Sequence, residues 1–383
     1  MFAKKRNVAT LISPAPVDGY PPVQYQARLL AEAGIQVILI TSTLFVKQKG
    51  ITFQHRGLSV KGVQSSRPGW INTVRRVMTF VVLITISRFR NRGKVLVEIC
   101  FEPVGIFLSD ISLFRPPTRV AHLHETLMRI STCYTERRLR SVLKRFQKVV
   151  VADVERARIL QHQTHLREMP CVVPNYPKLG PAVEGCTKKN GGFEVIYTGS
   201  LGLVQKLDVV IRSVRLWPDG ACFTVLGNDD QPIALQLKKL AKEMDVAERV
   251  KFEGWLDLEF LNCRLRRAHL GICLFDPISD QFIFSVGASN KRYQYMQAGL
   301  PQIGDINPGV LELLEGQGIG RCVRDFTEHE IADLVSYYAK NEIVRSEEGR
   351  RAEMLHRERL NYDVAFSGLL SWIVGQADCP AID

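Results

Sequence analysis

The sequence predicts an α/β chain made of two Rossmann-like, doubly wound domains facing a cleft, with a C-terminal helical tail. Three observations predict it. Strand patterns rich in Val and Ile alternate with helical ones almost throughout, as βαβ units do. The alternation stops once, at a run of prolines and glycines, and then restarts. The length of 383 residues suits two ordinary domains.

In the first half, strand patterns fall at Val8–Ile12, Val37–Thr41, Val95–Ile99, Val120–Leu123 and Val149–Ala152. Each is apolar on both faces, as in parallel strands covered by helices on both sides. A helix with Val23, Ala27, Leu30 and Ala31 on one face joins the first two and stops at Gly34. The break is Val173-Pro174-Asn175-Tyr176-Pro177, followed by Gly180, Pro181, Gly185 and Gly191-Gly192. Beyond it, strands are expected at Glu194–Thr198, Cys222–Leu226, Val250–Phe252, Leu270–Leu274 and Pro301–Gly304. Helices are expected at Lys206–Leu216, Ile233–Met244, Leu258–Ala268 and Asn290–Ala298, and a helical pattern covers about 328–375. The expected division is an N-terminal domain 1–176, a linker 177–192, a C-terminal domain 193–350 and a tail 351–383.

Apolar residues make up 46% and charged residues 23%, which excludes a disordered chain. The net charge of +12 is unevenly placed: residues 1–176 hold 27 Lys and Arg against 10 Asp and Glu, and residues 177–383 hold 24 against 29. The N-terminal half therefore faces something anionic. Nucleic acid is not expected, because no basic motif is interleaved with aromatics. The apolar run Met78–Ile86, flanked by Arg75, Arg76, Arg88, Arg90 and Arg92, is too short to span a bilayer. It reads as a buried helix, with an interfacial membrane helix as the alternative. Nine scattered cysteines without a C-x-x-C pair read as free thiols in a reducing compartment. The apolar start Val8–Ile12 is too short for a secretory segment, so the expected location is cytoplasmic.

Two segments can carry chemistry on their own residues. Gly199-Ser200-Leu201-Gly202 ends a strand and leads to a helix near Lys206. Glycines there let a backbone approach a ligand, and a helix start with a lysine suits a phosphate. A plain turn with a solvated lysine reads equally well. His122 and His124 end an apolar segment one residue apart, and in a strand would share a face. They are either hydrogen-bonded structural histidines or ligands. Asp229-Asp230 reads as turn chemistry, and no acidic pair is spaced like a metal site.

Asn290-Lys291, Tyr293-Gln294-Tyr295-Met296 and Ala298-Gly299-Leu300-Pro301 together resemble the donor-site helix of family 4 type GT-B glycosyltransferases. Tyr197 to Leu201 with Lys206-Leu207-Asp208 resembles that family's glycine turn and lysine, and Val225-Leu226-Gly227 its next segment. Phe252-Glu253-Gly254-Trp255, Val173-Pro174-Asn175 and Leu123-His124-Glu125 follow suit, and Ser13 to Tyr20 stands at the N-terminal glycine loop. The resemblance implies transfer of a sugar from a nucleotide-diphosphate donor to a glycan or lipid-linked acceptor, retaining and metal-independent, with no cofactor. It implies that Gly199, Ser200, Leu201, Gly202, Lys206, Gly227, Ser289, Asn290, Lys291 and Gln294 bind the donor. It implies, further, that Lys206 and His124 carry catalysis and that Asp18, Gly19, Tyr20 and Glu125 meet the sugar and acceptor. Two family glutamates are replaced, by Val286 and Gln294. A nucleotide-sugar epimerase of the same fold, or a non-catalytic nucleotide-sugar-binding protein, are the alternatives. Arg137, Arg140, Lys144 and Lys148 at helical spacing read as a solvated outer face or as a contact with anionic lipid on the inner face of a membrane.

Overall fold

A computed structural model of the chain describes residues 7–43, 53–64, 69–125, 133–180 and 192–376. Two compact units emerge. One holds the residues up to Asn175 together with those from Tyr362, and the other is Tyr176–Asn361.

The first unit runs β1 (Val8–Pro16), α1 (Pro21–Glu32), β2 (Gln36–Ser42), β3 (Leu58–Val63), α2 (Trp70–Arg90), β4 (Val95–Phe101), α3 (Glu102–Ile111), β5 (Arg119–Leu123), α4 (Cys133–Leu143), β6 (Lys148–Val151), α5 (Val154–Thr164) and β7 (Cys171–Val172). Its sheet has the order β3-β2-β1-β4-β5-β6-β7, and every pairing is parallel. Strand order reverses direction between β1 and β4, so the carboxyl ends of these strands flank the topological switch point where such folds bind ligands.

The second unit runs β8 (Phe193–Thr198), α6 (Leu207–Ser213), β9 (Ala221–Leu226), α7 (Pro232–Glu243), β10 (Val250–Gly254), α8 (Leu258–Arg266), β11 (Leu270–Cys273), α9 (Asp280–Ile283), α10 (Asn290–Gln297), β12 (Gln302–Gly304), β13 (Gly320–Cys322), α11 (Glu328–Lys340) and α12 (Glu342–Glu358). Its sheet, β10-β9-β8-β11-β12-β13, is also parallel throughout, with the switch point between β8 and β11. Two Rossmann-like domains are thus present. The last helix, α13 (Tyr362–Gly375), returns to the first unit. Tyr362, Phe366, Leu369 and Ile373 recur at helical spacing on it and bury themselves in the core that holds Val23, Ala27 and Leu30 of α1.

Glu98, in the middle of β4, is fully buried. Arg88 of α2 meets it with two hydrogen bonds of 2.7 and 2.9 Å, and Ser109 of α3 donates a third of 2.6 Å. The remaining guanidinium hydrogens go to the carbonyls of Ser109, Ser112 and Leu113. A buried charge tolerates its site only with this degree of pairing, and removing one partner costs about 3–5 kcal/mol. The cluster anchors α2 and α3 to the sheet.

Four expectations need correction. Met78–Ile86 belongs to a helix, but not a buried one: Met78 is 56% and Val82 49% exposed. The helix is apolar on nearly every side, and α3 and the sheet edge at β2 and β3 cover only the side holding Phe80, Ile84 and Arg88. Arg137, Arg140, Lys144 and Lys148 do not share a helix face. Helix α4 ends at Leu143, and Lys148 opens β6, where it pairs with Glu168 at 2.9 Å. β3, β7 and β13 escape the apolar pattern, because β3 is a half-exposed edge strand and the other two have two and three residues. Finally, Cys263 is disulfide-bonded, where free thiols were expected. A disulfide needs proximity in space, which sequence spacing does not report.

Candidate active site

In the second unit, β8 delivers the turn Gly199-Ser200-Leu201-Gly202 at its carboxyl end. Gly199 has φ +123°, and a Cβ there would stand 3.0 Å from Lys291 Cε and 3.3 Å from its Nζ. Only glycine fits both demands. Gly227, at the end of β9, backs the turn: a Cβ on it would lie 2.5 Å from the Gly199 carbonyl oxygen. Tyr197 donates its hydroxyl to the Ser200 carbonyl at 2.5 Å, and Leu201 packs into the core beside Gly227.

Lys291, on the first turn of α10, reaches into this turn. Its ammonium lies 4.8 Å from the centre of the Phe275 ring and 5.2 Å from that of Tyr197. Burial pulls its pKa below the ordinary lysine value. No carboxylate lies within ion-pair distance of it among the described residues. Lys291 is half-buried, and an ammonium held there without a carboxylate partner is open to an incoming anion.

Lys206 stands at the start of α6, where the sequence expected a helix to begin. It sits in the left-handed region, φ +53°, between a single 3₁₀ turn (Leu203–Gln205) and α6. Its Nζ is 2.6 Å from Asp276 Oδ2, a partner at the carboxyl end of β11 that sequence reasoning missed. Ser289 stands at the N-cap position of α10 without a side-chain bond to the helix and is buried, and Asn290 and Gln294 are half-buried on that helix. Val286 packs on Gly309 and joins the apolar cluster of Tyr293, Met296 and Val310. Next to Lys291, Arg292 is fully buried and pairs with Asp305 at 2.5 Å. Asp305 also accepts from the Phe275 amide at 3.0 Å. That pair is a strut behind the β11 exit loop.

The first unit carries a second cluster at its switch point. Tyr20, just before α1, donates to Glu102 Oε1 at 2.7 Å and lies 2.5 Å from His124 Nδ1. Glu102 Oε1 also accepts from the His124 amide at 3.0 Å and faces His124 Nδ1 at 3.1 Å. Since Tyr20 spends its proton on Glu102, Nδ1 of His124 carries its own proton toward these oxygens. That leaves His124 Nε2 for a ligand, and it is buried with no partner among the described residues. Glu102 Oε2 is orphaned in the same way. Orphaned polar atoms are rare in native interiors and call for an explanation. Burial raises the Glu102 pKa, but hydrogen bonds from His124 and Tyr20 outweigh it and hold the carboxyl below the usual range. Burial and the Glu102 charge push the Tyr20 phenol well up.

His122 stacks on His124 with ring centroids 4.2 Å apart, so the two share a face. His122 is internal: Gln26 Nε2 lies 2.7 Å from its Nδ1 and donates to Tyr362 of α13 at 2.8 Å. Burial, then His124, drives the His122 pKa well below 6.5. Glu125 is half-buried at the carboxyl end of β5. Asp18 accepts from the Phe53 amide at 2.9 Å and so anchors its loop, while Gly19 is exposed with open space around it.

Glu102, the residue missed here, is also strained. It opens α3 with φ +59°, a conformation that costs a non-glycine residue about 1–2 kcal/mol. Such strain gathers at functional sites. Its one signal in the sequence was an acid directly after a buried strand and before Pro103. A depression of about 540 Å³ lies elsewhere, at the amino end of β6, lined in part by Lys144, Lys148 and Arg167. None of the site residues lines it.

No protein-family model and no curated protein matches the sequence. Solved structures do match. A sucrose-phosphate synthase from Thermosynechococcus elongatus superposes with TM-score 0.73 at 13% identity, covering 97% of this chain and 100% of the other. HepE from Anabaena, solved with UDP and glucose, gives 0.72 at 12%, over 97% and 100%. TarM from S. aureus, solved as a mutant with UDP and sugars, gives 0.69 at 9%, over 95% and 99%. At such identities the likeness is one of fold, and the chain has the two-domain GT-B fold that these glycosyltransferases share.

Proposed function

We propose that the protein is a glycosyltransferase that moves a sugar from a nucleoside-diphosphate donor to a glycan or lipid-linked acceptor. The second unit holds the donor and the first holds the acceptor. The carrying observation is Lys291, a half-buried ammonium set against the Gly199 turn with no carboxylate partner among the described residues. That turn and Lys206 together offer a diphosphate two cations and a backbone it can approach closely. Stabilising the leaving diphosphate in this way is electrostatic catalysis and needs no metal. Gln294 serves the ribose hydroxyls as a neutral acceptor. In the first unit, the free Nε2 of His124 serves a sugar hydroxyl, and Glu102 and Tyr20 fix the ring. Retention of anomeric configuration follows from the family resemblance alone. The GT-B neighbours solved with UDP make UDP the first ligand to try.

Thermal unfolding with UDP, GDP, ADP and TDP tests the donor half. A ligand of the native state at about a hundred times its Kd adds about 2.7 kcal/mol of stability. No rise with any of the four would remove the donor site. Incubating the matching nucleotide sugar alone separates transfer from epimerisation, since an epimerase changes the sugar without an acceptor. Val286 and Gln294, in place of two acids, favour a binding protein as the second reading. It predicts a thermal shift without turnover under any acceptor.

A further inference from the structure

We propose that α2 is a membrane-docking helix that lies in the surface of an anionic lipid bilayer. The inference rests on the surface of the first unit and does not depend on the transferase reading. Ile71, Val74, Met78, Val82, Ile86 and Phe89 are all exposed, and their spacing places them on one stripe along the helix. The stripe lies opposite the buried side that carries Phe80, Ile84 and Ser87. Trp70, 78% exposed, stands at its start. At its far end the Phe89 ring meets Phe114 at 5.7 Å, and exposed Leu113 donates its amide to Thr85 Oγ1 at 3.3 Å. A contiguous apolar strip of this length on a folded surface marks a site of contact with something apolar.

Charge selects the occupant. The helix has no Asp or Glu. Exposed Arg75, Arg76 and Arg90 lie beside the stripe, and Arg92 follows it. An apolar stripe whose only charged neighbours on the helix are cations suits anionic headgroups above acyl chains. A second copy of the chain would bring more arginines and no carboxylate from α2 to the contact, so its charge gains nothing there. Among the described residues, α2 alone is long and apolar enough to cross a bilayer. It cannot cross while folded, because Arg88 on its other side is locked to Glu98. Pulling the helix out would strand that buried charge. It therefore lies in the interface plane.

Vesicle flotation of the full chain tests this. We expect recovery with phosphatidylcholine–phosphatidylglycerol vesicles at low salt and little with phosphatidylcholine alone. The double variant Met78→Glu/Val82→Glu should abolish recovery while keeping the wild-type unfolding temperature, since both side chains face solvent. Arg75→Gln/Arg76→Gln should lower partitioning on the order of thirtyfold, at about 1 kcal/mol per arginine. Trp70 emission should shift to the blue with anionic vesicles, and Trp70→Phe should remove that change. Absence of wild-type flotation, or flotation unaffected by Met78→Glu/Val82→Glu, overturns the proposal. So does a dimer in solution that this variant dissolves without vesicle binding, which would assign the stripe to a protein interface. Nucleotide binding by the same variants should be unchanged, so failure of docking and failure of the transferase reading are separable.

Discussion

The Glu102 carboxylate holds His124 at two points, the ring Nδ1 at 3.1 Å and the backbone amide at 3.0 Å. It does so from a residue whose own backbone is left-handed. The strained position aims one carboxylate oxygen at His124 and Tyr20 together. Glu102→Gln keeps an acceptor there but loses the charge, and a charged acceptor bonds about twice as strongly as a neutral one. Initial rates at saturating donor should fall at least roughly tenfold, equivalent to about 1.4 kcal/mol, with little change in unfolding temperature. An unchanged rate would take Glu102 out of the chemistry.

His122 should make the fold sensitive to mild acid. Its native pKa lies well below the 6.5 of the unfolded chain. Below about pH 6.5 the unfolded chain binds a proton that the native state refuses, so stability falls as pH drops, by up to about 1.4 kcal/mol per unit. Glu102 acts lower on the scale. Its stabilisation is present above the unfolded carboxyl pKa and is lost as pH falls through the depressed native one. Urea midpoints between about pH 7.5 and 5.5 should show the first slope, and His122→Gln should flatten it. An identical slope in the variant would assign the effect to another group.

Lys291→Met should separate binding from stability. Burial opposes the charge of Lys291, so an apolar side chain of similar length should leave the ligand-free protein as stable or more so. The same change should remove the thermal shift with UDP. A variant that still responds to UDP like wild type would show that the Lys291 ammonium is not a phosphate ligand.

Lys206 and Asp276 compete with the phosphate for each other. Asp276→Asn should tighten UDP binding by freeing Lys206 from its 2.6 Å partner. Lys206→Ala should weaken UDP much more than uridine. Calorimetry on both ligands decides, and equal losses for UDP and uridine would exclude Lys206 from the diphosphate site.

Arg292 and Asp305 should behave as a strut. Asp305→Ala strands a fully buried guanidinium, and the loss of stability should be about 3–5 kcal/mol. Denaturant unfolding measures it, and a loss below about 1 kcal/mol would mean that water reaches Arg292 in the variant.

The donor half was legible because its parts are local. Gly199 to Gly202 follow a strand, Lys206 follows the turn and Lys291 opens a helix, all within short stretches of sequence. Asp276 and the Phe275 ring were not legible, since neither stands near the turn in the chain. The same holds for Glu102, which meets Tyr20 across 82 residues and His124 across 22.

By itself the sequence determined two parallel α/β layers. Strands buried on both faces must be apolar throughout, and the helices between them must carry one apolar stripe. Periodicity records that requirement directly. It also placed His122 and His124 on one face, because side chains alternate along a strand. Only the tertiary structure decided which apolar surfaces are covered. The residues of α2 read as a buried helix because they are apolar, yet burial depends on what packs against each side, and α3 and the sheet cover one side alone. Only the tertiary structure, too, returned α13 to the first unit and set Tyr362 against Gln26, 336 residues away. Such contacts are fixed by how the chain closes on itself, and no local pattern carries them.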